Sequence, residues 1–247
     1  MKTINLHVHT NLSDGKYSPM EVVKMTNEEK EFHYVCLFPD DSVDLSDFRK
    51  LIARNVNPDS RPRITAILKR LREEAQIDLG PYERLADIYG ERIRLPHLAE
   101  QMYLQGYTSS VAEGLDIYIG ERGEKRCYVP KNQKFISLDE LLPVLKAAKG
   151  IPILAHLKAY QLSEEQEEDF LYQFRKAAGP IGFLETDYAK YDLKTRILLY
   201  ILACRFDLGE SAGSDFHGFI AEDVLSPYHP YLIYERMIER WRKYYIS

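Results

Sequence analysis

Thr3-Ile4-Asn5-Leu6-His7-Val8-His9 alternates between apolar and polar residues with a period of two and runs into Ser13-Asp14-Gly15. This is the pattern of a buried strand ending in a turn. A helix is expected next. Ser18 can serve as its N-cap, Pro19 suits its first turn, Glu21 stands at the third position, and Met20, Val23 and Met25 form an apolar face. Tyr34-Val35-Cys36-Leu37-Phe38 then reads as a second short strand, stopped by Pro39-Asp40-Asp41-Ser42. Strand, helix, strand is the opening of an α/β fold.

From residue 64 to 119 the period becomes helical, with segments at 64–75, 82–89, 97–104 and 110–119 and no strand between them. They predict a helical insertion over 61–130, flanked by 1–60 and 131–247 as the main α/β domain. Ser137-Leu138-Asp139-Glu140 is a capping box that opens a helix ending at Gly150, and the strand 151–155 delivers His156. Two further apolar runs end in polar residues, one before Glu185 and one before Gly213-Ser214-Asp215-Phe216-His217-Gly218. Active sites of parallel α/β folds collect at the C-terminal ends of strands, so His or Asp at three strand ends points to function. Residues 231–245, rich in Trp, Tyr and Arg, form an amphipathic pattern expected to cover the core.

Composition narrows the class. The 247 residues are 45% apolar and 29% charged, enough for one large domain or a domain with a substantial insertion. A net charge of −5 lacks the basic footprint of a protein that grips extended duplex nucleic acid, although a local phosphate pocket remains compatible with it. No apolar run approaches the ~18 residues of a membrane span, and Met1 leads into alternation rather than a basic and then apolar leader. Cys36, Cys127 and Cys204 are scattered and have no CxxC spacing, which excludes a disulfide framework or a thiolate zinc cluster and points to the reducing cytoplasm.

His7 and His9, two apart on a strand, point to one side and can share a metal ion, with Asp14 just beyond. Such a pair alone is weak. Joined to Ser13-Asp14-Gly15, to Ala155-His156 and to Ser214-Asp215-Phe216-His217, it outweighs a merely polar strand end.

These segments resemble the PHP (polymerase and histidinol phosphatase) family of phosphoesterases. His7-Val8-His9-Thr10 with Ser13-Asp14-Gly15 and Ser18-Pro19 is similar to the family's first motif, and Gly213-Ser214-Asp215-Phe216-His217-Gly218 to its last. Pro96-His97-Leu98-Ala99, Cys127-Tyr128-Val129-Pro130 and Leu154-Ala155-His156 resemble the branch that hydrolyses nucleoside 3′,5′-bisphosphates and trims short RNA from the 5′ end. The resemblance implies a distorted (β/α)₇ TIM-like barrel holding divalent manganese, iron or zinc. By position, His7, His9 and Asp215 would bind one ion, Asp14 and His217 another, and His156 would belong to a third. The metals would activate a hydroxide for attack on phosphorus. His97 would contact the phosphate or assist the leaving oxygen, with Arg94, Lys158 and Ser214 around the substrate.

The departures from the family pattern matter as much. The second motif, TDHD in the family, appears as Phe38-Pro39-Asp40-Asp41, so the ligand becomes a carboxylate, most simply Asp40, with Asp41 as the other choice. A glutamate that bridges two metals, and a histidine after it, have no candidate in 42–63. The ion of His156 therefore lacks ligands, and one or two tightly bound metals are expected rather than three, unless Glu185 or Asp187 takes over the bridge. Arg94 and Lys158 each stand one place early against the family's phosphate-binding arginines, and a lysine cannot reproduce a bidentate guanidinium contact. Asn5 replaces the Asp that opens the first motif, which alters the support of the ligands.

Several residues read more simply as structural. His33 begins a strand, His229 sits in a surface turn, the acidic run 164–169 is a solvated helix face, Cys36 fills a strand, and core roles account for most of the 18 tyrosines. Glu185 ends a strand where the family often has a Glu, but a structural role is the simpler reading. The expected function is a metal-dependent phosphoesterase acting on a small nucleotide or a short oligoribonucleotide. Alternatives are a catalytically weak or silent module that binds a nucleotide or a partner, and a phosphatase of another monoester such as histidinol phosphate.

Overall fold

The computed structural model describes residues 3–4, 21–27, 30–39, 42–55, 60–90, 93–120, 124, 126–130, 136–215 and 229–246. It divides into two compact units: Met1–Asn55, Phe135–Gly218 and Glu222–Ser247 form one, and Val56–Lys134 with Phe219–Ala221 the other.

In the first unit, β1 (Thr3–Ile4) precedes a hairpin of β2 (Glu21–Asn27) and β3 (Lys30–Leu37), paired antiparallel from Glu21↔Cys36 to Asn27↔Lys30. The helix expected to start at Ser18 is therefore a strand where it is described. Val22, Val23 and Thr26 are β-branched and lose rotamer freedom in a helix, and β3 offers them a ladder along their whole length. α1 (Ser46–Asn55) lies in a stretch whose Asp, Arg, Asn and Pro content masked Phe48 and Leu51, both buried one turn apart. Asp44 caps this helix by accepting hydrogen bonds from the Ser46 N–H at 2.8 Å and from its hydroxyl at 2.9 Å.

The second unit is helical. α2 (Arg61–Ala75) buries Ile64, Ile67, Leu68 and Leu71, an i, i+3, i+4, i+7 stripe. α3 (Tyr82–Tyr89) adds Tyr82 and Leu85, and α4 (Leu95–Leu104) adds Leu98, Ala99 and Met102 to the same core. The helix expected over 110–119 is one turn of α5 (Val111–Glu113), capped by Ser110, followed by a π-helical stretch, Gly114–Ile119. Gly114 packs so closely on α4 that a Cβ there would stand 3.1 Å from the Ala99 Cβ.

The chain then returns to the first unit. α6 (Leu138–Ala147) starts with the anticipated capping box, in which Glu140 accepts from the Ser137 N–H at 3.0 Å and Ser137 accepts from the Glu140 N–H at 3.3 Å. β4 (Ile151–Leu154), α7 (Glu164–Ala178), β5 (Phe183–Tyr188), α8 (Leu193–Arg205) and β6 (Gly209–Gly213) follow. Next come β7 (His229–Pro230), which pairs with β1, and α9 (Tyr231–Tyr245). The sheet order is β2-β3-β4-β5-β6, with β2, β3 and β4 antiparallel in succession and β4, β5 and β6 parallel.

Alternation along the strands divides the core into two layers. Tyr34, Cys36, Leu154 and Leu184 face α1, α6, α7 and α8, where Phe48, Leu145, Phe174 and Leu199 meet them. Val35, Ile151, Ile153 and Phe183 face α9 through Met237 and Trp241. Trp241 fixes α9 by donating from its indole N–H to the Lys149 carbonyl at 2.6 Å. A sheet closed into a seven-stranded barrel is not seen among the described residues. No helix among them is long and apolar enough to cross a membrane.

Candidate functional site

Because β4, β5 and β6 are parallel, their C-terminal ends lie side by side. β3 runs the opposite way, which brings His33, in its first half, beside the end of β4: the Ala155 N–H donates to the His33 carbonyl at 3.0 Å. His156, the residue after Ala155, has a left-handed backbone with φ 31° and ψ 53°, and Asp215, two residues past β6, has φ 56°. A left-handed backbone costs a residue with a Cβ about 1–3 kcal/mol, least for Asp, and such residues gather at functional sites.

Glu185 holds His156 in this conformation. It lies on β5, wholly buried, and its Oε2 accepts the His156 backbone N–H at 2.7 Å. The His156 ring is buried with its Nε2 3.1 Å from Nδ1 of His33, the two rings meeting edge to face at 75°. One of these nitrogens carries a proton when they hydrogen-bond directly. Around them stand three tyrosines. Tyr160 accepts from the His33 N–H at 2.7 Å, Tyr188 donates to Asp215 Oδ2 at 3.2 Å, and Tyr191 accepts from the Lys158 N–H at 2.9 Å. Burial pushes all three phenols well above their ordinary range, and at Tyr188 the nearby charge of Asp215 pushes further in the same direction. They stay protonated near neutrality and serve as fixed hydroxyls rather than as bases.

Among the expected site residues, His156, Ser214 and Asp215 sit at this edge, and Ser214 is buried. Lys158, two residues beyond His156, has its ammonium 2.5 Å from Glu167, whose side chain is 5% exposed. The acidic run of α7 is thus not wholly solvated: Glu167 turns inward to Lys158. Asp187 is 2.7 Å from the Arg196 guanidinium. His7, His9, Asp14, Asp40 and His217 lie outside the described residues.

His97 and Arg94 belong to the helical unit, at the start of α4. The Arg94 N–H donates to Nδ1 of His97 at 3.2 Å, so the neutral ring carries its proton on Nε2. The ring stacks on Tyr89 with centroids 4.4 Å apart and planes 4° from parallel. Tyr89 is itself held by Glu100 at 2.7 Å and Gln101 at 2.9 Å, and burial raises its phenol to about 12. His97 therefore has a fixed tautomer and a fixed ring plane.

From sequence alone His33 reads as structural, Glu185 as structural or as a replacement bridge, and Tyr160 and Tyr188 carry no motif of their own. The usable signal for His33 was its antiparallel strand, since pairing with β4 puts the start of β3 at the same edge as the end of β4. Two imidazoles with nearby carboxylates have the donor chemistry that borderline divalent ions prefer. Among the described residues alone, no three His, Cys, Asp or Glu side chains gather closely enough to hold one ion.

The class that this fold defines is a mixed α/β protein, with His156, Glu185 and Asp215 on or just past its parallel strands. The chain is 24% identical to a 5′-3′ exoribonuclease from Haemophilus influenzae, over 87% of this chain and 90% of that protein. It also shares its fold with an amidohydrolase from Chromobacterium violaceum, solved with bound sulfate and no metal. That match has a TM-score of 0.69 at 18% identity and covers 96% of each chain. A candidate metal-dependent phosphoesterase from Bifidobacterium adolescentis matches with a TM-score of 0.64 at 19% identity, over 89% of this chain and 74% of that one. All three are named as hydrolases. No family model matches the chain.

Proposed function

We propose that this protein is a metal-dependent phosphoesterase. Its proposed substrate is a phosphomonoester of a small nucleotide, such as a nucleoside 3′,5′-bisphosphate, or the 5′ end of a short RNA. The observation that supports it is that His156, Glu185 and Asp215 stand on or just past three successive parallel strands, two of them with a left-handed backbone. The names of the Haemophilus and Bifidobacterium proteins share the hydrolysis of phosphate esters, and the sulfate of the Chromobacterium protein has the shape and charge of a phosphate. Cys36, Cys127 and Cys204 form no disulfide with one another, which suits a reducing cytoplasm.

His7, His9, Asp14, Asp40, His156, Asp215 and His217 are the residues proposed to hold one or two ions of manganese, iron or zinc. A bound ion supplies a hydroxide near neutral pH and offsets charge on the phosphoryl oxygens. The role proposed for His97, whose neutral ring carries its proton on Nε2, is to donate to a phosphoryl or leaving-group oxygen, that of Arg94 to pair with phosphate, and that of Ser214 to hydrogen-bond it. The pairing of Lys158 with Glu167 counts against the role expected for Lys158 at the phosphate, and it favours as a second reading a module that binds nucleotides without turning them over.

Phosphate release from a 3′,5′-bisphosphate and from a 5′-phosphorylated dinucleotide, with added manganese, tests the proposal. Turnover that a chelator abolishes is expected. His97→Ala is expected to lower kcat by about 10²-fold to 10³-fold at unchanged metal content. Absence of turnover with every divalent metal overturns the enzyme reading in favour of the binding module.

A further inference from the structure

We propose that His33 is a metal ligand, and that Nδ1 of His33 and Nε2 of His156 clamp one divalent ion between β3 and the end of β4. The proposal rests on the metal-dependent reading of the same edge and deepens it. The expected ligand set assigns His156 to an ion whose bridging glutamate and following histidine have no candidate in 42–63. β3 supplies an imidazole in their place.

Geometry carries the assignment. Two nitrogens each about 2.1 Å from one ion are about 3.0 Å apart at a right angle and about 3.4 Å apart at the tetrahedral angle. The observed separation of 3.1 Å lies between these values. The ring planes stand 75° apart with their centroids at 4.8 Å, so the two nitrogens approach each other without the rings stacking.

The backbone points the same way. His156 keeps an unfavourable φ of 31° while its N–H is tied to the buried Glu185 at 2.7 Å and its carbonyl accepts from the Ala159 N–H at 2.9 Å. On the other side, Tyr160 fixes the His33 backbone through its N–H at 2.7 Å, and the His33 carbonyl accepts from Ala155. Both imidazoles thus hang from anchored backbone, the preorganisation a two-histidine clamp needs and a lone hydrogen bond between rings does not. Glu185 acts as a positioning residue that sets His156 from behind. Water and phosphoryl oxygens would complete the coordination, as suits an open catalytic ion.

The experiment uses the full chain, stripped with a chelator and titrated with cobalt(II), which reports imidazole ligation by its visible absorption, alongside metal counting after gel filtration. His33→Gln retains a group able to hydrogen-bond His156 but removes the imidazole, and circular dichroism with a thermal melt establishes that it folds. The variant is expected to bind one ion fewer than wild type, or to bind its weakest ion about 100-fold less tightly, with a changed cobalt spectrum; outer-shell losses alone commonly reach 10-fold to 100-fold. Wild-type stoichiometry, affinity and spectrum in folded His33→Gln overturn the proposal and leave a hydrogen bond between two histidines, with the phosphoesterase reading intact. Failure of the wild-type protein to bind any divalent ion overturns both together. If His33→Gln does not fold, His33→Asn and a cobalt titration of His156→Gln replace it, and an unchanged spectrum in either folded variant is again decisive against the clamp.

Discussion

Lys158→Met is the perturbation with the most calculable outcome. In the folded protein the Lys158 ammonium lies 2.5 Å from Glu167 Oε2, the Glu167 side chain being 5% exposed and that of Lys158 26% exposed. Removing the lysine leaves a buried carboxylate with its main cation gone, a change that typically costs about 3–5 kcal/mol. This case falls at the lower end because water already reaches one side of the ammonium. A loss of about 3 kcal/mol follows, or a fall in Tm of about 6–12 °C for a chain of this size. Lys158→Met/Glu167→Leu removes both charges and is expected to return within about 1 kcal/mol of wild type. Urea unfolding of wild type, these two variants and Glu167→Leu alone, followed by far-ultraviolet circular dichroism, closes the cycle. A single variant within about 0.5 kcal/mol of wild type, or a double variant no better than the single, refutes a buried and mutually dependent pair. The same proteins address phosphate binding: full turnover in the stable double variant removes Lys158 from the substrate site.

Tyr188→Phe deletes the hydroxyl that donates to Asp215 at 3.2 Å and is expected to cost about 1.5 kcal/mol in urea unfolding, with metal affinity down about 10-fold; unchanged affinity would remove Tyr188 from the support of Asp215. The Arg175 hydrogen bond, helped by the charge of Arg240, holds the Asp207 carboxyl below its ordinary value, so its stabilisation is present above about pH 4 and lost as pH falls through the lowered value. Asp207→Asn should therefore cost under about 1 kcal/mol at pH 7, the side chain being 68% exposed, and flatten the stability profile between pH 5 and 2; an unchanged acid slope counts against this assignment. Gly209→Ala places a Cβ 2.1 Å from the Phe183 ring in the layer under α9, and a loss of about 2–3 kcal/mol is expected from the melting curve.

The helical unit was legible because a stripe such as Ile64, Ile67, Leu68 and Leu71 has one period and one buried side. α8 was not. Leu199, Leu202 and Ala203 are buried while Leu193, Ile197 and Ile201 are exposed, so apolar residues surround the helix and no stripe marks it. At β2 a plausible cap and three loosely spaced apolar residues pointed to a helix, and pairing with β3 decided otherwise. Local propensity is a weak prior when a partner strand is available, and nothing within 18–25 says that one is.

The same limit explains what was legible of the site. His156 stands just past the apolar run of β4, so a strand end in the sequence is a strand end in space, whereas Asp215 follows the polar, glycine-bounded β6 and was marked by its surrounding motif. Glu185 is harder, because it lies inside β5 and its part is played through the His156 backbone rather than through a motif of its own. His33 is hardest. A histidine at the start of a strand reaches the edge where β4 and β5 end only if that strand runs against its neighbours, and the antiparallel direction of β3 is a property of the sheet rather than of the residues around His33. Sequence motifs register groups that reach the site from the ends of parallel strands, whereas a group delivered by an antiparallel strand becomes visible only once the pairing is known.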